Sequence, residues 1–309
     1  MTNEKKPLVV IVGPTAVGKT AASIELALRL GGEIISADSR LLFRGMDIGT
    51  AKPTPDEMQD VPHHLINVAD PDENWSLAIY QRQAYKVIDD IHRRGKLPFL
   101  VGGTGQYIRS IIEGWRIPPQ SPDSELRQAL NHWADQLGAE TLHERLRRLD
   151  PDAAEKIDYR NTRRTIRALE VIFRTGQRFS ELRRRQECRY RAVVLGINRP
   201  RPELYARIDR RIDEMMESGW VDEVRGLLLQ GYSADLPTMS AIGYREIIQY
   251  LQGEITYEEA VILIKRNTRT FVRRQANWFK PDDYRITWFV STKNLIKDME
   301  ATLRRCLHE

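Results

Sequence analysis

The segment that most restricts how this chain can fold lies near its N-terminus and reads GPTAVGKT, residues 13–20. It fits the pattern G-x-x-x-x-G-K-[ST] and stands between an apolar, β-branched run at 8–12 and a run of helical composition at 19–30. This is the context in which the pattern forms a phosphate-binding loop (P-loop), and a chance match is the weaker alternative. Backbone N–H groups and the helix N-terminus attract phosphate, Lys19 adds a full charge, and the Thr20 hydroxyl can hold Mg²⁺. We therefore predict phosphate contacts from Gly13, Pro14, Thr15, Ala16, Val17, Gly18, Lys19 and Thr20.

The rest of the chain alternates short apolar runs with segments of helical composition. Further strands are predicted at 33–37, 63–68, 97–101, 192–197 and 286–290. Further helices are predicted at 76–94, 203–218, 221–230, 240–251 and 256–280, with one more at the C-terminus. This alternation predicts an α/β fold of the P-loop NTPase type, in which helices flank a parallel sheet. No run approaches the ~18 apolar residues of a transmembrane helix, so we expect no membrane partner.

A break at Pro118-Pro119 is followed by a polar, arginine-rich stretch of helical character without a convincing strand. We therefore predict a helical insertion domain at 119–189 within a catalytic core formed by 1–118 and 190–309. The net charge of the whole chain is +5, whereas residues 160–191 alone contain eleven arginines and three acidic residues. A solvated helix face or a mobile lid are the alternatives. The local excess of arginine favours a surface that binds a polyanion such as nucleic acid.

Polar residues follow two of the predicted strands at their carboxyl ends. Asp38, Ser39 and Arg40 follow the second strand, and a glycine-rich turn with Thr104 follows the strand at 97–101. Ligands of open α/β sheets collect at this edge, so these residues are expected to share a crevice with the P-loop. From position alone Asp38 could bind a metal, act as a general base or cap a helix. The segment around Thr104 could also be a simple turn.

Cysteine and histidine give little support to a disulfide or a metal centre. The two cysteines lie far apart in sequence and lack metal-ligand spacing, which favours a reducing, cytoplasmic location. The pair His63-His64 has no third ligand nearby, so a structural role is expected. The N-terminus also lacks the features of a secretion signal.

Six blocks occur in an order that resembles the family of bacterial tRNA dimethylallyltransferases, also called tRNA isopentenyltransferases. They are GPTAVGKT at 13–20, SADSRLLFRGMDIGTAKP at 36–53, PHHL at 62–65, GGTGQY at 102–107, RTIRALE at 164–170 and SAIGYRE at 240–246. The resemblance extends to about Trp278, and the block at 36–53 is far more specific than the P-loop. Small departures occur where the family more often has Gln, Val, Tyr, Leu and Arg; here these positions hold Leu41, Leu42, Phe43, Gln106 and Lys280.

The resemblance implies transfer of a dimethylallyl group from dimethylallyl diphosphate to N6 of adenosine 37, which lies next to the anticodon. The substrates would be tRNAs that read codons beginning with U, and the product N6-(dimethylallyl)adenosine. The P-loop would then hold the diphosphate leaving group, helped by Mg²⁺ at Thr20 and by Arg211. The alternative for Arg211 is an ordinary charged residue on a helix surface, without a role in binding. Asp38 would accept a proton or a hydrogen bond from N6, and Thr104 would orient the amine.

An adenine inside a stacked anticodon loop must leave the stack before its amine can react. We expect the basic insertion to grip the anticodon stem-loop. The predicted tRNA contacts are Asp38, Ser39, Arg40, Leu41, Thr104, Arg127, Arg163, Arg164, Arg167, Ser240, Ala241, Ile242, Gly243, Tyr244 and Arg245. We expect a monomer.

Three other functions remain open from the sequence. The first is a P-loop kinase or NTPase acting on a small metabolite. The second is an adenylate isopentenyltransferase acting on free nucleotides, against which the basic insertion argues. The third is an RNA-binding protein with an inactive P-loop, against which the presence of Lys19, Thr20, Asp38 and Thr104 argues.

Overall fold

The structure, a computed structural model, describes residues 5–117, 123–182 and 187–308. The strands are β1 Pro7–Val12, β2 Gly32–Ser36, β3 His63–His64, β4 Leu97–Val101, β5 Arg191–Asn198 and β6 Ile286–Val290. The helices before β5 are α1 Lys19–Leu30, α2 Pro55–Met58, α3 Leu77–Arg93, α4 Gly105–Ile112, α5 Ser124–Leu137, α6 Ala139–Leu149, α7 Pro151–Lys156, α8 Thr162–Thr175 and α9 Phe179–Leu182. The later helices are α10 Arg201–Glu217, α11 Trp220–Leu229, α12 Tyr244–Leu251, α13 Tyr257–Gln275 and α14 Leu295–His308.

The strands form one parallel sheet with the order β3-β2-β4-β1-β5-β6. β1 lies between β4 and β5, with Val9 opposite both Phe99 and Val193. Its residues 8–12 are fully buried, which is why this strand is continuously apolar rather than alternating. The predicted α/β class with a parallel sheet flanked by helices is confirmed.

Local backbone conformation explains where the sequence-based bounds were wrong. The strand expected at 63–68 stops after His64, because Leu65 and Asn67 adopt positive φ angles of 59° and 54° that turn the chain away. The helix expected at 240–251 begins only at Tyr244, after Gly243 with a φ of 94°. The helix expected at 256–280 ends at Gln275.

The chain divides into two compact units. The first comprises Met1–Trp75, Tyr80–Ile112 and Cys188–Glu309, and contains the sheet and P-loop. The second comprises Ser76–Ile79 and Glu113–Glu187. Where the second unit is described beyond residue 122, its regular elements are helices around a core that includes Leu130, Leu142, Leu146, Ile166 and Leu169. The break expected at Pro118-Pro119 lies outside the described residues.

Within the described ranges no helix is long and apolar enough to cross a membrane.

Close approach of β2 and β4 at their carboxyl ends predicts the effect of a small substitution. A Cβ at Gly102 would lie 2.2 Å from the Ala37 carbonyl oxygen. We expect Gly102→Ala to lower the free energy of unfolding by about 1–3 kcal/mol, because backbone has to move. Gly226→Ala in α11, where a Cβ meets nothing within 4 Å, is the matched control and should stabilise by up to about 1 kcal/mol. Urea denaturation of both variants measures this, and equal stabilities would contradict it.

Candidate active site

The P-loop follows β1 directly and its shape depends on three backbone positions. Gly13 passes β5 so closely that a Cβ would lie 2.5 Å from the Ile197 carbonyl oxygen. Ala16 and Gly18 have φ angles of 64° and 108°, which curl the loop before α1 begins. Gly18 is the N-cap and no side chain caps the helix. The first N–H groups of α1 therefore face a position suited to an anion.

Lys19 folds back onto this loop and is half-buried. Its Nζ donates to the Pro14 carbonyl oxygen at 2.8 Å. Burial lowers the pKa of Lys19 from 10.5 to about 8, the Asp38 carboxylate opposes this, and Arg211 lowers it further. The predicted phosphate-binding lysine therefore lies within electrostatic reach of the two other residues singled out for this chemistry.

Helix α10 supplies two arginines to the same end of the sheet. Arg207 donates from Nε to the Ala16 carbonyl oxygen at 3.0 Å, which fixes the P-loop from outside. Arg211, one turn later, is half-buried; burial lowers its pKa and Asp38 raises it. Among the described residues Arg211 forms no ion pair within 4.0 Å. It is a partly dehydrated cation that a bound anion can neutralise.

Asp38 and Thr104 meet where β2 and β4 end. The Thr104 Oγ1 accepts from the Ser39 N–H at 3.1 Å, and the Thr104 N–H donates to the Ala37 carbonyl oxygen at 3.1 Å. Asp38 Oδ1 accepts from the Arg40 N–H at 3.0 Å. The residues after Asp38 form turns rather than a helix, so the helix-cap alternative for this carboxylate is wrong. Thr104 is part of a link between two strands rather than of a simple turn.

The surroundings of Asp38 are both cationic and aromatic. Arg40 is half-buried, its pKa is lowered by burial and raised by Asp38, and its Nη1 lies 3.5 Å from the Thr238 carbonyl oxygen. Tyr107 stacks on Tyr80 with ring centroids 3.7 Å apart. Burial raises the pKa of both phenols, and Asp38 raises them further. Lys19, Arg40 and Arg211 thus act on one carboxylate, and this excess of positive charge attracts an anion.

The specific block at 36–53 is anchored by a residue that sequence reasoning missed. Glu223 in α11 accepts from the N–H groups of Asp47, Ile48 and Gly49 at 2.7, 2.6 and 3.1 Å. It also accepts from the Tyr244 hydroxyl at 2.6 Å. No local pattern marks Glu223, because its three backbone partners lie about 175 residues earlier in the chain.

Trp220 packs against both the block at 36–53 and the segment at 240–245. A Cβ at Gly49 would lie 2.1 Å from its Nε1, and one at Gly243 would lie 1.9 Å from its Cζ2. Gly243 is one of the predicted tRNA contacts, and in the structure its backbone closely approaches this indole ring. The segment at 240–245 is therefore fixed against the block at 36–53.

Side chains of the segment at 240–245 divide into exposed and buried groups. Ser240 and Arg245 are exposed, and Arg245 pairs with the buried Glu246 at 2.8 Å. Ile242 is half-buried, and Ala241 and Tyr244 are buried. Of these predicted tRNA contacts, Ser240 and Arg245 offer polar side chains at the surface. Leu41, another predicted contact, is half-buried beside Arg40.

In the second unit the predicted RNA-binding arginines also divide into two groups. Arg127 and Arg167 both pair with the fully buried carboxylate of Glu170, at 3.0 and 2.8 Å. Arg163 and Arg164, on the first turn of α8, are exposed and form no ion pair with the described residues. Arg183, Arg184 and Arg185 of the basic run lie outside the described part of the chain. Of these four arginines, Arg163 and Arg164 therefore present unpaired positive charge at the surface. Arg127 of α5 and Arg167 of α8 instead neutralise the buried Glu170 of α8.

Histidines 63 and 64 have the structural role that was expected. His63 Nδ1 lies 2.7 Å from the Val61 carbonyl oxygen, and His64 Nε2 lies 2.7 Å from Glu33 Oε2. Within 5–117, 123–182 and 187–308 no group of three or more His, Cys, Asp or Glu side chains is arranged to hold a metal ion. Thr20, exposed at the start of α1, remains the predicted protein ligand for Mg²⁺.

Comparison with known proteins shows which family the chain belongs to. The profile described as IPP transferase matches residues 41–282, and one described as isopentenyl transferase matches residues 6–68. The tRNA dimethylallyltransferase of Thermomicrobium roseum is 47% identical over 308 residues, which cover 99% of this chain and 93% of that protein. The chain belongs to the IPP transferase family.

Two solved structures agree with this assignment. The tRNA isopentenylpyrophosphate transferase of Bacillus halodurans has a TM-score of 0.74 and 42% identity, covering 99% of this chain and 97% of that one. A eukaryotic dimethylallyltransferase acting on tRNA has a TM-score of 0.81 and 28% identity, covering 97% of this chain and 77% of that one. The resemblance of the six sequence blocks to this family is thereby confirmed.

The lowered pKa of Lys19 predicts how this IPP transferase family member binds a probe anion. Without ligand Lys19 is charged below a pKa of about 8 and loses its charge as the pH rises through that value. We expect the affinity for inorganic diphosphate, measured by calorimetry from pH 6.5 to 9.5, to fall across about pH 8. Lys19→Ala should bind more weakly and lack this inflection, since the probe's own titration is common to both proteins. The same inflection in both would contradict the assignment.

Proposed function

We propose that this protein transfers the dimethylallyl group of dimethylallyl diphosphate to N6 of adenosine 37 in tRNA, which gives N6-(dimethylallyl)adenosine. The observation that carries the proposal is the joint placement of Lys19, Arg211 and Asp38 at the carboxyl end of the sheet. Family membership supports it, since relatives of known name are tRNA dimethylallyltransferases. A tRNA substrate also accounts for the exposed arginines of α8, and it implies a cytoplasmic location for the protein.

The chemical step breaks the bond between the allylic carbon C1 and the diphosphate oxygen, and forms a bond between C1 and N6. The diphosphate leaves with the electron pair of the broken bond. The P-loop N–H groups, Lys19 and Arg211 stabilise that charge, because partly dehydrated cations act strongly on an anion between them. Placing the diphosphate in the P-loop requires no nucleotide.

The amine must lose one proton as the new bond forms. Asp38 accepts this proton, or a hydrogen bond from N6, through the carboxylate oxygen that is not bonded to the Arg40 N–H. Thr104 holds the adjacent backbone through Ser39 and so orients the acceptor side of the crevice.

Mg²⁺ fits the donor chemistry of the cradle. The exposed hydroxyl oxygen of Thr20 lies at the P-loop, and Mg²⁺ prefers a few protein oxygens together with substrate phosphate oxygens. When bound there, the ion would neutralise part of the diphosphate charge.

The decisive experiment is incubation with an anticodon stem-loop RNA and dimethylallyl diphosphate, read by the mass of the RNA. The expected product carries one dimethylallyl group on the adenosine 3′ of the anticodon, with one diphosphate released per group transferred. Transfer of the γ-phosphate of ATP to a small metabolite, without modification of the RNA, would favour the kinase alternative. Modification of free AMP but not of RNA would favour the adenylate isopentenyltransferase.

Asp38→Ala tests the acceptor carboxylate. We expect kcat to fall by about 10²–10⁴-fold, as is typical when a general base is removed, while RNA affinity stays within threefold. Asp282→Ala, an exposed carboxylate after α13, is the control and should keep full activity. Loss of RNA binding with unchanged single-turnover chemistry would overturn the assigned role.

The exposed arginines of α8 predict a change in salt dependence. Arg163→Ala/Arg164→Ala should weaken RNA binding and reduce the slope of log Kd against log salt by about one for each phosphate that is no longer neutralised. Arg147→Ala is the control in the same unit, because Arg147 pairs with Glu144 at 2.5 Å. Filter binding over a salt series measures the slopes. An unchanged slope in the double variant would place these arginines away from the RNA.

A further inference from the structure

A buried amide joins the two loops on which the proposed reaction depends. Gln275, the last residue of α13, is 5% exposed. Its Oε1 accepts from the Thr15 N–H of the P-loop at 3.0 Å, and its Nε2 donates to the Gly103 carbonyl oxygen at 3.3 Å. The two partners lie 260 and 172 residues away in sequence.

The joined loops carry opposite halves of the reaction. The P-loop holds the leaving group, whereas Gly103 precedes Thr104, which bonds the Ser39 N–H beside Asp38. The distance from Thr15 to Gly103 therefore sets the distance from the diphosphate cradle to the groups that orient the amine. Among the described residues, the Gln275 side chain is the one that bonds both loops.

Packing around the amide leaves it little freedom. A Cβ at Gly103 would lie 2.4 Å from Gln275 Nε2, and a Cβ at Gly105 would lie 2.2 Å from Trp278 Cγ. The loop of Thr104 is thus pressed onto the C-terminal end of α13 at two successive points. Glycine at these positions is required for this contact with the protein itself.

We propose that Gln275 is a positioning residue, which holds the prenyl donor and the adenine amine at reacting distance; the proposal rests on the function proposed above. A primary amide suits this task because it accepts and donates at the same time, which a carboxylate or a thioether cannot do. Bond formation needs reacting atoms about 3–3.5 Å apart, and an error of about 1 Å can cost about 100-fold in rate. Loosening the link should therefore slow chemistry more than it weakens binding.

Gln275→Met keeps the length of the side chain and removes both hydrogen bonds. We expect kcat for RNA prenylation to fall by about 10- to 100-fold, with the KM values for RNA and donor within about threefold. Gln249→Met is the matched control, because the Gln249 amide bonds Glu254 near the surface at the end of α12. This control should keep the wild-type kcat.

Gly103→Ala perturbs the same link from its other side. Its Cβ would displace the amide, so this variant should also lose kcat while the KM values are retained. The double variant Gly103→Ala/Gln275→Met should be little slower than the worse single variant, since both substitutions break one link. Should Gln275→Met fail to fold, as seen by circular dichroism, the kcat and KM values of Gly103→Ala decide the question.

The outcomes separate this inference from the proposed function. Wild-type protein that prenylates no RNA contradicts the function itself. Prenylation by wild type together with an unchanged kcat in Gln275→Met overturns the positioning role. A rise in KM at constant kcat overturns it as well, because Gln275 would then contribute to binding. Multiplicative losses in the double variant would likewise contradict a single shared link.

Discussion

Electrostatic imbalance around Asp38 is the constraint on which the site depends. Lys19, Arg40 and Arg211 all act on this one carboxylate, and burial lowers the pKa of each of the three cations. Gathering like charges in a dehydrated place costs stability, which the folded core has to offset. An anion with two or more charges removes that cost when it binds. The charge balance of the folded protein therefore favours a ligand that carries more than one negative charge.

In the second unit, the main electrostatic feature is a buried carboxylate and the groups that neutralise it. Its helices bury the carboxylate of Glu170 and satisfy it with Arg127, Arg167 and the Asp123 N–H. Burial alone would raise the pKa of Glu170, but these partners outweigh it and lower the pKa, so the carboxylate stays charged. Removing one of these arginines would leave a buried carboxylate with fewer partners, which destabilises the fold. Arginines only three residues apart in sequence, such as Arg164 and Arg167, can therefore have different roles, one at the surface and the other as a partner of a buried carboxylate.

Short-range features of this chain could be predicted from its sequence. The P-loop, β1, α1 and the polar ends of β2 and β4 each depend on a few adjacent residues, and their periodicity or glycine content reveals them. Bounds were wrong where isolated backbone conformations decided them, as at Leu65 and Gly243. Roles carried by distant partners could not be predicted: Gln275, Glu223 and Trp220 contact segments more than 170 residues away, and no pattern near them indicates this. Arg167 with Glu170 is an intermediate case, because the spacing of three is visible but the burial is not.

The indole of Trp220 has a consequence for how this protein can vary. The ring occupies the space that a Cβ would need at both Gly49 and Gly243, so it is packed against two backbone segments that are far apart in the chain. Neither glycine can gain a side chain while the ring stays, and a smaller residue in place of the ring would leave both segments without support. Substitutions at Gly49, Trp220 and Gly243 are therefore expected to occur together or not at all, because the indole ring and the two bare glycine backbones fit one another.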